Sequence, residues 1–121
     1  MSTSTQLQSH LDGLRAALPE VRGVLIAATD GMPISHNLVD GDPNRMAAMV
    51  ATALSLAKRL VESFAGGQFM ETTVFGQSAQ IFVYAAGTKA VLAVVSNAAT
   101  NVGMINIEAR SAAQKIAQVL G

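Results

Sequence analysis

Leu7, Leu11, Leu14 and Leu18 recur at spacings of four, three and four, which is the apolar stripe of an amphipathic helix. Ser4 or Thr5 is placed to cap its start, and Pro19 stops it. The run VRGVLIAAT (21–29) is apolar and rich in branched residues, the pair Asp30-Gly31 suits a turn that needs positive φ, and MPISHNL (32–38) follows. This pattern predicts a hairpin. Asp42 before Pro43 reads as an N-cap with proline at the first helical position, and Gly66-Gly67 as the stop of a helix of about 22 residues. Three further strands are expected at FMETTVFG (69–76), QIFVYA (80–85) and AVLAVVS (90–96), joined by the loop sequences GQSA and AGTK. Thr100 or Asn101 can cap a last helix in which Val102, Ile105, Ala109, Ala112, Ile116 and Val119 share a face, with Arg110 and Lys115 pointing away.

In the strands at 23–27, 81–85 and 90–95 both alternating positions are apolar or small, so neither face of the sheet's middle can meet water. Helices must cover both faces. The first and last helices are expected on one face and the 43–65 helix on the other. The predicted fold is α+β: a single-domain sandwich over residues 1–121, with a five-stranded antiparallel sheet between helices and the order α-β-β-α-β-β-β-α. No linker, internal repeat or low-complexity tract interrupts it.

The long helix carries more apolar surface than one sheet can use. At about 100° per residue, Met46, Val50, Ala53, Leu54, Ala57, Leu60, Val61 and Phe64 fall on the arc expected to dock on the sheet, with Met49 and Leu56 just outside it. The far side carries Ala48, Ala51 and Ser55, small enough for another backbone to approach, and residues 46–57 contain no charge. Scattered exposed alanines need no explanation by themselves. A second buried face explains them better, and a monomer has no element left to bury it, so a homodimer is expected. The strand at 69–76 points the same way, because it should lie at the sheet edge yet lacks the Pro, Lys or bulge that blunts an exposed edge. The expected interface is Ala48, Met49, Ala51 and Ser55 from the helix with Thr72 and Val74 from the strand.

Charge narrows the partner classes. Eight basic and eight acidic residues cancel in 121 and neither sign forms a run, which argues against nucleic acid. The absence of cysteine removes disulfides, thiolate nucleophiles and cysteine-based zinc sites. The polar N-terminus has no signal pattern, and no apolar run reaches the roughly 20 residues that span a bilayer, so a cytoplasmic protein without membrane insertion is expected. Arg45, Lys58, Arg59 and Glu62 are the charged residues of the long helix, displayed twice on one surface of a dimer, and are the candidates for partner binding.

Candidate chemistry is sparse. His10 and His36 have no His or carboxylate partner at metal-ligand spacing. GQSAQ (76–80) lacks the second glycine of a nucleophile elbow and joins two strands. DGDPN (40–44) begins like a calcium loop, but Arg45 stands where its glycine belongs and Ala51 where its glutamate belongs, so helix capping explains it better. No glycine-rich segment ends in the Lys-Ser or Lys-Thr of a phosphate-binding loop. No enzyme, cofactor or metal site is expected.

Together these residues resemble a known family, the roadblock/LC7 domain. VRGVLIAATDGMPIS (21–35) is similar to its first hairpin, and TNVGMINIEARSAAQKIAQVL (100–120) to its closing helix, including Asn101 to Gly103 and Glu108 to Arg110. The resemblance implies a roadblock/profilin-like sandwich and a dimer built from the long helix and the third strand. It also implies a non-catalytic platform that binds a small Ras-like GTPase and modulates its nucleotide cycle or placement. An arginine finger from Arg45 or Arg59 is disfavoured, since neither sits on a protruding loop. Two alternatives use the same surfaces or core: a purely structural dimeric scaffold, and a sensory domain holding a small ligand between sheet and helix, against which the alanine-rich, aromatic-poor composition argues.

Overall fold

Eight elements follow one another in the computed structural model, which describes residues 2–98 and 100–121. They are α1 (Thr3–Ala17), β1 (Val21–Ala28), β2 (Pro33–His36), α2 (Pro43–Ser63), β3 (Glu71–Phe75), β4 (Ala79–Ala86), β5 (Ala90–Asn97) and α3 (Val102–Leu120), in the order the sequence predicts. All neighbouring strands are antiparallel, and the sheet runs β2-β1-β5-β4-β3. The β1–β2 hairpin and the β3-β4-β5 meander are thus joined through β1 and β5.

Both faces of that pair are dry, as strands apolar at alternate positions on each side require. On one face Val24, Ile26, Phe82, Tyr84, Leu92 and Val94 pack under α1 and α3, which contribute Leu7, Leu11 and Leu14 and Ile105, Ala109 and Ile116. On the other, Leu25, Ala27, Val83, Val91 and Ala93 meet Ala47, Val50 and Leu54 of α2.

Local chemistry sets the element ends. Asp42 is the N-cap of α2, its Oδ1 accepting the backbone N–H groups of Asn44 at 3.0 Å and Arg45 at 3.5 Å, with Pro43 following. Asn101 caps α3 through Met104 N–H at 3.0 Å. The cap of α1 is Ser2 and not Ser4 or Thr5: its hydroxyl accepts Thr5 N–H at 3.1 Å, so the helix begins earlier than its apolar stripe suggests. At the far end of α2 the left-handed residue is Ala65 (φ 53°), and Gly66 N–H closes the turn on Val61 C=O at 2.9 Å. Phe69, expected to begin a strand, instead tucks into the α2 core from the loop.

Two polar ties hold the β3 side of the sheet to α3. Arg110 grips Glu71 with Nε and Nη2 at 2.6 and 2.9 Å, a bidentate pair. The Tyr84 hydroxyl, raised well above its ordinary pKa by burial and then by the Glu71 charge, donates to Asn106 Oδ1. At the opposite edge Asn37 ends β2 by replacing a ladder bond, its Oδ1 accepting Val24 N–H at 2.8 Å.

Close packing after β2 depends on Gly23, where a Cβ would lie 2.8 Å from Leu38 Cδ2 and 2.9 Å from Leu38 Cα. Gly23→Ala is therefore expected to destabilise the fold by about 1–3 kcal/mol. Urea unfolding reads this as a lower midpoint at unchanged slope, and an unshifted midpoint would contradict the close approach.

Candidate functional site

Met46, Val50, Leu54, Ala57 and Val61 of the expected arc of α2 pack against the sheet, and the docked face also takes in the buried Ala47 and Ala51. Leu60 and Phe64, expected against the sheet, are 67% and 86% exposed. The reason lies in where the helix sits. Its core contacts are Leu25 and Ala27 of β1, Val83 of β4 and Val91 and Ala93 of β5, and an apolar groove between the helix and the β3–β4 side of the sheet stays open. On the β1 flank Ala48 and Ser55 are exposed, and the β1–β2 turn lies beside the helix, a Cβ on Gly31 falling 3.6 Å from Ala48 Cα. Ala51, on the same flank, is only 6% exposed.

What remains open is the other flank. Met46, Met49, Ala53, Leu56 and Leu60 recur at spacings of three and four, the seam that lets one helix pack along another. Met49 and Leu56 are more than half exposed. Between this stripe and the strands runs an apolar groove of about 480 Å³, walled by Met46, Val50 and Ala53 on the helix and Val74, Ile81 and Val83 on the sheet. Thr72 shares the Val74 face, since they pair with Val83 and Ile81 in one unbroken register.

The two edges of the sheet differ. β2 has four residues, begins with Pro33 and carries a register shift against β1, so it is blunted. β3 pairs residue for residue along Glu71–Phe75 and contains neither Pro nor Lys.

The charged candidates divide into two places. Arg45 stands at the mouth of the apolar groove, whereas Lys58, Arg59 and Glu62 line a shallow cleft of about 330 Å³ with Thr29 and Thr88 on the β1 flank. Ala48, Ala51 and Ser55 border an adjoining cleft that also includes Arg59. The ion pairs among the described residues are Arg22–Asp40 and Arg110–Glu71, so all four candidate charges of α2 face solvent unpaired. His36 is exposed, its Nδ1 accepting Leu38 N–H at 3.3 Å, and His10 lies on α1 beside Glu108 and Lys115. Among the described residues no three of His, Asp and Glu gather as a metal site, and no helix is long and apolar enough to cross a membrane.

A sequence model of the Roadblock/LC7 domain matches residues 7–96, well over half of the chain. The chain belongs to the Roadblock/LC7 domain family. The matched span of this Roadblock/LC7 domain ends before α3, but similar folds extend over it. A structure of MglB with a tetrameric arrangement superposes with a TM-score of 0.91 at 18% identity, covering 98% of this chain and 90% of that one. The gliding protein mglB from Thermus thermophilus gives 0.89 at 17%, covering 98% and 91%. In sequence, the uncharacterised protein MJ1340 of Methanocaldococcus jannaschii is 28% identical over 97 residues, 79% of this chain and 84% of the relative.

Leu60 and Phe64 are the exposed apolar residues of this Roadblock/LC7 domain's α2 that the sequence alone assigned to the sheet; Leu60 continues the three-and-four spacing from Met46, and Phe64 follows it by four. The two flanks also predict different fates for one added charge. Ala51→Asp buries a carboxylate against the fold's own turn and is expected to lower monomer stability by about 2–4 kcal/mol, whereas exposed Ser55→Asp should stay within about 0.5 kcal/mol. Chemical denaturation of both variants checks this, and equal losses would contradict the assignment of that flank.

Proposed function

We propose that this Roadblock/LC7 domain is a homodimeric, non-catalytic platform that binds a small Ras-like GTPase and alters its nucleotide cycle or its placement. The observation that carries the proposal is the coincidence, on one face, of an exposed apolar helix stripe, an apolar groove and an unblunted strand edge. Met49, Leu56 and Leu60 with Thr72 and Val74 form the pairing surface, a second β3 extending the sheet and a second α2 lying beside the first. Ala48, Ala51 and Ser55 remain on the flank that faces the β1–β2 turn. The tetrameric arrangement of the MglB relative supports assembly of more than one copy. Family membership supports a GTPase as the partner, and the unpaired Lys58, Arg59 and Glu62, with Arg45, supply the charges that would meet it.

Such a platform works by differential affinity: a partner in one nucleotide state binds more tightly, and its cycle shifts by that difference. A structural scaffold would use the same pairing surface without sensing nucleotide. The groove also favours, as a second reading, a small apolar ligand held between helix and sheet.

Sedimentation is expected to show a dimer at micromolar concentration. Met49→Glu, which places a charge at the pairing surface, should raise its dissociation constant at least about 100-fold while the circular dichroism spectrum stays native. A monomer in the parent protein would refute the pairing. Against Ras-like GTPases encoded in the same genome, loaded with GDP or a GTP analogue, at least a tenfold difference in affinity between the two states is expected, on the order of 1.4 kcal/mol. It should be reduced by Lys58→Glu with Arg59→Glu. Equal affinity for both states would favour the scaffold, and no complex would refute the GTPase reading.

A further inference from the structure

We infer that Asn106 and Arg110 of α3 are positioning residues for the β3 edge: they hold it from the face of the sheet opposite the groove, and so set, from outside the pairing surface, how readily that edge can be joined. This rests on the platform reading above and adds to it a control point on another helix.

β3 has little of its own to hold it. It has five residues, a strand neighbour on one side only, and burial that falls from part-buried Glu71, Thr72 and Thr73 to exposed Val74 and Phe75. Such an edge gains little from backbone bonds alone. Pleating sends Glu71, Thr73 and Phe75 to the α3 face, since Glu71 stands opposite Tyr84 and Thr73 opposite Phe82, both in the core beneath α1 and α3. Yet the helix backbone does not close on the strand. α3 stays more than 8 Å, Cα to Cα, from every residue of β3, and a cleft of about 490 Å³ opens there, with Glu71, Tyr84, Arg110 and Gln114 in its wall.

Hydrogen-bonding side chains cross that gap at two points. Arg110 reaches Glu71 through Nε at 2.6 Å and Nη2 at 2.9 Å, and four residues earlier Asn106 accepts the Tyr84 hydroxyl. Helix residues four apart are separated by about 6 Å on one face, and adjacent strands by about 4.8 Å, so one face of α3 can span a cross-strand pair. Glu71 and Tyr84 are that pair. α3 therefore clamps the edge strand to its neighbour. The Glu71 side chain is only 21% exposed, so its forked pair with Arg110 is partly shielded from water and holds more firmly than an ion pair on open surface. An edge already straight and in register loses little freedom when joined, whereas a frayed one must first be ordered, at the expense of affinity.

The test separates ordering of β3 from stability of the whole fold. In sedimentation of the full chain, Arg110→Ala is expected to raise the dissociation constant of the dimer at least about tenfold while the circular dichroism spectrum stays native. Exchanging the charges, Glu71→Arg with Arg110→Glu, should bring it back to within about threefold of the parent, which neither change alone does. Hydrogen exchange on a Met49→Glu background, where pairing is removed, reads the cause. There Arg110→Ala should speed exchange of the Glu71–Phe75 amides at least about tenfold and leave β1 and β5 unchanged, with Asn106→Ala acting in the same direction. Exchange that rises equally across the sheet would make these residues ones of global stability and overturn the positioning role. Unchanged pairing of Arg110→Ala beside a dimeric parent would overturn it too, and leave the platform standing. A monomeric parent would refute the pairing itself, and this inference with it.

Discussion

One helix cannot roof five strands. An α-helix with its side chains is about 10–12 Å wide, whereas five strands about 4.8 Å apart span roughly 20 Å. On one face of this sheet two helices, α1 and α3, share the work, and the core beneath them is closed. On the other face α2 works alone, and its core contacts are with β1, β4 and β5, the three eight-residue strands. The groove, the bare stripe of α2 and the half-exposed Val74 all follow from that shortage. What is missing is one helix's width of cover, which is what a second copy of α2 can supply.

The polar ties explain why the uncovered side keeps its shape. Glu71 and Arg110 fasten the edge strand to α3 on the covered face, and Tyr84 and Asn106 fasten its neighbour. These contacts lie on the side of the sheet away from the groove. The edge is therefore held extended by interactions that a docking partner need not disturb, so little ordering remains to be done on association. On the β1 flank of α2, by contrast, small residues bring the β1–β2 turn close to the helix, and the clefts there carry hydroxyls and charges in place of apolar surface.

Much of this architecture is written locally and was legible. Apolar alternation, the Asp30-Gly31 turn, Asp42 before Pro43 and Asn101 before the last helix act through neighbours a few residues away, and the elements they specify occur where expected. Family membership was legible too, since the hairpin and the element order carry it. The extension of the docked face to Ala47 and Ala51, with Leu60 and Phe64 left exposed, was not. Two arcs of that helix are apolar, and which one docks depends on where the helix lands across the sheet, a property of β1, β5 and the turn at Gly31 together. Small residues at 48 and 51 read alike in the sequence, and only tertiary placement shows that Ala51 is buried within the chain while Ala48 is exposed. Ser2 escaped notice because a cap one turn ahead of the leucine stripe leaves no apolar mark.

The unequal edges of the sheet set a limit on growth. Open strand edges invite indefinite stacking, chain after chain, when both sides of a sheet can accept a newcomer. Here Pro33, the brevity of β2 and its slipped register close one side, so any union through β3 uses up the sole adhesive margin and terminates there. The same polypeptide that leaves half a face unroofed is thereby protected from polymerising into fibres along its own sheet.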